Sequence, residues 1–235
     1  TPSATILPTA GYAIIKGNHA QTAYMLTMFA TSLCKTHKHQ DNLSFTLFMD
    51  GIEWLIDPSF YSHEYLKPVQ NFLRGAYSHN NPVIGDVPYS IEPGHAQLSG
   101  EVSENGFSLN GSHDAFEDTL IKRGITGYLD RLQLEISDEI HATLRDKPMF
   151  SLFHCGDGTQ VTKTEEGVEI RHPASSYRIT IASNCPCTIV TGWNDDQLVK
   201  GISGVGFMQQ IDTSMVAFEM KNATEAQFIL SLIHI

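Results

Sequence analysis

Residues 43–57 read LSFTLFMDGIEWLID, two apolar-rich runs joined by Asp50-Gly51. A two-residue hairpin turn of type I′ needs positive φ at both central residues, and Asp-Gly adopts it at little cost. Met49 then faces Ile52, Phe48 faces Glu53 and Leu47 faces Trp54. Alternation along each strand gathers Leu43, Phe45, Leu47, Met49, Ile52, Trp54 and Ile56 on one face, a full core face. Ser44, Thr46, Phe48, Glu53, Leu55 and Asp57 share the other. Asp57 is thereby placed at the open end of the hairpin, opposite Ser44.

Outward from this hairpin, strand signals dominate. Apolar runs bounded by Gly, Pro, Asn or Asp recur at 12–16, 24–32, 125–136, 149–154, 168–171, 177–182, 187–191, 204–209, 215–220 and 227–232. Helical periodicity is confined to residues 62–73, where Tyr65, Val69 and Phe72 fall at near-helical spacing. The polar stretch 90–118 reads as a long excursion or a pair of edge strands. The pattern predicts an all-β chain, a large antiparallel β-sandwich of stacked sheets with few short helices, forming one domain over residues 1–235.

Composition narrows the function classes. The chain has 235 residues, a formal net charge of −11, 17% charged and 41% hydrophobic residues, which is ordinary globular composition. No clustered Lys and Arg offer the phosphate neutralisation that nucleic-acid binding needs, and no apolar run is long enough for a membrane helix. Cys34, Cys155, Cys185 and Cys187 make no zinc-ribbon spacing, and Cys185-Pro-Cys187 is too tight for an easy disulfide. The first residues, TPSATILPTAGYAIIKGN, lack an initiator Met and a signal peptide, so the chain reads as a piece trimmed from a longer protein.

The chemistry-bearing stretch is KTHKHQDNLSF, residues 35–45. In an extended segment His37 and His39 project to one side and Lys38 to the other. Two imidazoles with a carboxylate brought near by a hairpin are the ingredients of a zinc site with an open fourth position. A straight strand from His39 to Leu43 would put His39 and Asp57 on opposite faces. Gln40-Asp41-Asn42 must therefore bend, as Asp and Asn do through local hydrogen bonds to the backbone. Taken alone, an H-x-H also suits two loop histidines with no ligand.

The wider pattern runs from His37-x-His39-x-Asp41-Asn42-Leu43-Ser44-Phe45 through Asp50-Gly51 to Leu55-Ile56-Asp57-Pro58 and Tyr61, then Arg74 and Ser78-His79-Asn80. It resembles the signature of the heparinase II/III-like domain, the C-terminal β-sandwich half of polysaccharide lyases that act on uronate-containing chains such as heparan sulfate and alginate. The resemblance is dense over residues 37–86. It implies a zinc ion on His39, Asp57 and His79, and His37 as a catalytic group facing the substrate. It also implies Arg74, Tyr61 and Tyr65 as substrate contacts, an anionic polysaccharide or oligosaccharide as partner, and a bacterial periplasmic or cell-envelope setting. Most acid–base groups of such lyases come from an N-terminal α/α toroid, so this chain alone is expected to be inactive. The chain has Asp57-Pro58-Ser59 where the family commonly has Asp-Pro-Gly, and His79-Asn80-Asn81 where it has His-Asn-Thr. Neither change removes a proposed ligand, although Ser59 alters the turn on which Tyr61 and Tyr65 depend.

β-Elimination at a uronate needs removal of the C5 proton, neutralisation of the carboxylate and protonation of the leaving oxygen, and Tyr, His and cationic or amide groups suit those steps. A different class, a non-catalytic carbohydrate-binding or polysaccharide-assembly module with a structural metal, fits the same residues. The remaining candidates read more plainly. His95 and His113 are expected as exposed loop residues, with His95 the reserve ligand, and His63 lies near the proposed ligands. His141, His154 and His172 are expected to be structural, Trp54 to be core, and Trp193 to cap one end of the sandwich rather than stack on sugar.

Overall fold

The computed structural model describes every residue except 1, 20, 59, 65, 144, 145, 221–223 and 235. A five-stranded antiparallel meander opens the chain: β1 (Ser3–Leu7), β2 (Tyr12–His19), β3 (Thr22–Phe29), β4 (Phe45–Met49) and β5 (Ile52–Leu55). Helix α1 (Pro68–Arg74), a 3-10 turn (Ala76–Ser78) and β6 (Pro82–Ile84) follow. Next come β7 (Ala96–Val102), β8 (Gly106–His113), β9 (Thr119–Tyr128), β10 (Gln133–Ala142), β11 (Met149–His154), β12 (Gln160–Lys163), β13 (Gly167–Arg171) and β14 (Tyr177–Ser183). The last strands are β15 (Cys187–Thr191), β16 (Ile202–Gly206), β17 (Gln209–Asp212), β18 (Ser214–Glu219) and β19 (Glu225–His234).

An eight-stranded sheet, in the order β12-β13-β14-β19-β10-β9-β8-β7, forms one layer. The other layer is built from the five-stranded meander and a four-stranded sheet, β15-β18-β11-β6. Those two sheets meet at the antiparallel bridge Leu55↔Cys155, extended by Ile56 N–H donating to His154 O at 2.9 Å. Alternation explains the packing between layers. Leu109, Ile121, Ile125, Ile136 and Ile140 turn inward from the large sheet and are fully buried. Phe228 of β19 meets Phe153 and Phe218 of the four-stranded sheet at 5.2 and 5.1 Å between ring centroids, in edge-on geometry. The molecule is an antiparallel β-sandwich.

The hairpin forms at Asp50-Gly51 with φ of +57° and +73°, and Met49↔Ile52 and Phe48↔Glu53 pair as expected. The register then slips at a β-bulge, so that Leu47 pairs with Leu55 and Trp54 is the extra residue. Trp54 and Leu55 are both buried, which corrects the strict two-face reading. Trp54 enters the core and donates Nε1–H to Met49 O at 3.0 Å, while Leu55 is covered through the bridge to β11.

Other boundaries also differ from expectation. The run 125–136 is two strands, because Leu129–Leu132 turn between β9 and β10, and 204–209 is likewise a hairpin, β16 to β17. The stretch 90–118 contains edge strand β7 and the interior strand β8. Helix α1 starts only at Pro68, where a missing N–H costs nothing. Gln70 Oε1 accepts the N–H groups of Tyr61 and Ser62 at 3.2 and 2.8 Å, holding the preceding segment in a non-helical path. The Trp193 ring meets Phe72 of α1 edge-on at 5.9 Å and lies 4.6 Å from Lys200 Nζ.

Candidate functional site

Three segments converge at the open end of the β4–β5 hairpin. Segment 35–44 arrives from β3, Asp57 leaves β5, and His79 follows the 3-10 turn. The expected bend is present: Ser44 N–H donates to Asp41 O at 3.0 Å, and Leu43 adopts φ of +69°. His37 to His39, however, is not an extended run. His37 has φ of +58° in a turn closed by Lys38 N–H to Lys35 O at 3.2 Å, so His37 is exposed and His39 half-buried. Lys38, between them, is buried and donates Nζ–H to the carboxylate of Asp41 and to Asn42 Oδ1. That inward ion pair, absent from a reading by alternation, decides the orientation of both histidines.

Asp57 and His79 are in direct contact. His79 Nδ1 lies 2.9 Å from Asp57 Oδ2, which also accepts Ser44 Oγ–H at 3.2 Å. Ser44 and Asp57 thus meet through a side-chain hydrogen bond beyond the ends of β4 and β5, not as the ladder partners that an unbroken register would make them, because the bulge shifts the pairing by one residue. The His39 and His79 rings are 5.5 Å apart. Burial opposes ionisation of Asp57, but the His79 charge and the hydrogen bonds from His79 and Ser44 outweigh it and lower the carboxyl pKa. Burial likewise opposes a charge on His79, yet Asp57 raises its pKa. His39 is lowered, by burial first and by His79 second.

Asn80, which the sequence offered only as part of a motif, is the hub of the site. It is fully buried. Its Nδ2 donates to Phe45 O at 2.7 Å and to Ile56 O at 2.8 Å, where β4 and β5 splay, and its Oδ1 accepts His154 N–H. Its own N–H donates to Ser44 Oγ at 3.1 Å. One amide side chain thus fixes all three strands that surround Asp57 and His79.

The other expected site residues are placed around this centre. Arg74 donates to Lys38 O at 3.5 Å and its carbonyl accepts Gln40 N–H at 2.9 Å, so it braces the 38–40 turn. Tyr61 is half-buried, with its carbonyl accepting Met208 N–H at 2.8 Å. Tyr65 and Ser59 lie outside the described residues. His95 has Nδ1 2.8 Å from Asp114 Oδ1 and Nε2 3.2 Å from Ser90 Oγ. His113, expected on an exposed loop, is buried on β8 and pushed down to about 3, by burial first and Lys38 second. His154 is buried and pushed down to about 4 by burial and then by His79.

Among the described residues, no three His, Cys, Asp or Glu side chains already close on one point. The donor set His39, Asp57 and His79 nevertheless suits zinc. His79 Nε2 is buried with no hydrogen-bond partner, an exception to the rule that buried polar atoms are paired. A groove of about 540 Å³ has Thr46, Glu53, Asp57, Asp157 and Ser203 in its lining. Its three carboxylates repel a polyanion.

The family described as heparinase II/III-like, C-terminal, matches residues 1–201, and those residues include every strand and side chain of this centre. The chain belongs to the heparinase II/III-like C-terminal family. No curated protein matches it by sequence. Among solved structures it is similar to heparan sulfate lyase HepC from Pedobacter heparinus, with a TM-score of 0.82 and 14% identity over 98% of this chain and 36% of that one. A structure of heparinase III aligns with a TM-score of 0.78 and 14% identity, over 99% of this chain and 37% of that one. At such identity the likeness is one of fold, and this heparinase II/III-like chain spans just over a third of the length of these neighbours. Among the described residues, no helix of this heparinase II/III-like chain is long and apolar enough to cross a membrane.

Proposed function

We propose that this chain is the β-sandwich part of a polysaccharide lyase that cleaves uronate-containing chains by β-elimination, working with an N-terminal α/α toroid in a periplasmic or cell-envelope setting. The observation that carries the reading is the approach of Asp57 Oδ2 to His79 Nδ1, 2.9 Å apart, with the His39 ring 5.5 Å from that of His79. His39, Asp57 and His79 would hold the zinc ion. When bound, the metal supplies a fixed positive charge that orders the imidazoles and favours an anionic substrate nearby.

The residues divide the remaining work by position. His37, exposed at the tip of its turn, faces solvent and takes or gives a proton, or neutralises the uronate carboxylate. Arg74 beneath the same turn adds positive charge on that side. The substrate is therefore assigned to the His37–Arg74 side rather than the carboxylate-lined groove, with Tyr61 and Tyr65 as further contacts.

Elemental analysis of the purified chain tests this reading. About one zinc per chain, lost in His39→Ala, Asp57→Ala and His79→Ala, supports it. No stoichiometric metal, or metal retained in all three variants, defeats the ligand assignment and leaves a non-catalytic carbohydrate-binding or assembly module. His37→Ala is expected to keep the metal and abolish activity of the full-length parent.

A further inference from the structure

The core holds an ion pair that hydrophobic packing does not require. Arg123 of β9 and Asp138 of β10 are cross-strand partners, both fully buried. Nε reaches Asp138 Oδ1 at 2.6 Å and Nη2 reaches Oδ2 at 2.7 Å, a two-pronged contact, and Ser151 Oγ–H of β11 donates to Oδ2 at 2.6 Å. Replacing such a pair by apolar side chains is often neutral for stability, so its presence calls for a role in specifying geometry.

That role is visible in the remaining nitrogen. Arg123 Nη1 donates to Leu43 O at 3.0 Å and to Asn80 O. Leu43 has the left-handed φ of +69°, a strained conformation for a branched side chain that persists only where surroundings enforce it. Leu43 precedes Ser44, which bonds Asp57, and Asn80 follows His79. One guanidinium on the opposite layer therefore ties together the two segments whose spacing sets the His79–Asp57 contact.

We infer that Arg123, oriented by Asp138 and Ser151, is a positioning residue that holds the His39, Asp57 and His79 centre in shape across the sandwich. The inference rests on the metal reading above and deepens it.

Arg123→Lys keeps the charge but loses the planar fork. Ile170→Val, in β13 and away from the centre, serves as a control for general loss of stability. Both are titrated with cobalt(II), whose visible spectrum reports coordination geometry, and followed by amide hydrogen exchange. Arg123→Lys is expected to fold, to bind cobalt about tenfold more weakly with an altered spectrum, and to exchange the Leu43 and Asn80 amides faster. Ile170→Val is expected to leave all three unchanged at a comparable loss of melting temperature. Wild-type spectrum, affinity and protection in Arg123→Lys overturn the inference, as does an equal response in Ile170→Val. If Arg123→Lys does not fold, Ser151→Ala carries the comparison, with a smaller shift of the same sign expected and no shift overturning it. If the wild-type chain takes no cobalt, the metal reading fails by itself. Amide exchange then decides: faster exchange at Leu43 and Asn80 supports the positioning role, and unchanged exchange ends it.

Discussion

His79 presents its two ring nitrogens to different worlds: Nδ1 lies 2.9 Å from Asp57 Oδ2, while Nε2 is buried with no partner. Asp57 favours the protonated imidazole, so His79 holds a proton to higher pH than an ordinary histidine. A metal on this residue must displace that proton. Zinc or cobalt binding near pH 7 is expected to release protons, and affinity to fall as pH drops. Calorimetry in buffers of different ionisation enthalpy measures the release; a buffer-independent heat contradicts it.

Metal binding also stabilises. At a free concentration one hundred times the dissociation constant the gain is about 2.7 kcal/mol. Zinc is expected to raise the melting temperature of the wild type, and a chelator to reverse it. His39→Ala should show neither effect.

Asn80→Ala leaves Phe45 O, Ile56 O and His154 N–H unsatisfied in the core. At about 1–3 kcal/mol for each orphaned group, the variant should lose about 3 kcal/mol or more of stability. Urea unfolding gives the value, and a loss under about 1 kcal/mol would mean that water replaces the amide.

Two glycines should behave differently. Gly51 has φ of +73° and open space around it, so Gly51→Ala costs only conformational strain, about 1 kcal/mol. A Cβ at Gly156 would stand 1.8 Å from Glu53 O, where the meander meets the four-stranded sheet. Gly156→Ala must move backbone and is expected to yield little folded protein. Comparing soluble yield and melting temperature of the pair separates the two effects.

Acid should destabilise the fold through histidines that are buried neutral. His113 and His154 are pushed down to about 3 and about 4, so the unfolded chain takes up protons from about pH 6.5 downward while the folded one does not. Stability from these groups is complete above pH 6.5 and falls as pH drops toward 4, by up to about 1.4 kcal/mol per pH unit for each. His113→Gln should flatten that slope in urea melts collected across the range.

The sequence exposes what short-range rules govern. Asp50-Gly51 announces the hairpin and its first two pairs, Met49↔Ile52 and Phe48↔Glu53. Trp54 shows the limit, because a bulge that buries two consecutive residues depends on Cys155, a hundred positions away. His113 departs from its expected exposed loop for a similar reason, since Gly111-Ser112-His113 looks like a turn until β7 and β9 pair on either side of it. The proposed ligands belong to a motif, whereas the arrangement of His39, Asp57 and His79 depends on Asn80 and Arg123, whose partners lie on other segments. Arg123 alternates with Ile121 and Ile125, and Asp138 with Ile136 and Ile140, so each charge falls on an apolar face, and their pairing is what lets both stay buried there.

The clamp at Arg123 has a consequence for the order of events at the ribosome. His39, Asp57 and His79 emerge first, and Arg123 and Asp138 follow them. At about 5–20 residues per second, several seconds separate the last ligand from Asp138. Throughout that interval the nascent chain carries its imidazoles and carboxylate without the sheet that shapes them. On the proposed zinc reading, metal offered during that interval would meet a pliant peptide, whereas metal offered afterwards would meet an ordered centre, so the proposal places any choice of ion late in synthesis, when β10 closes over the segments already made.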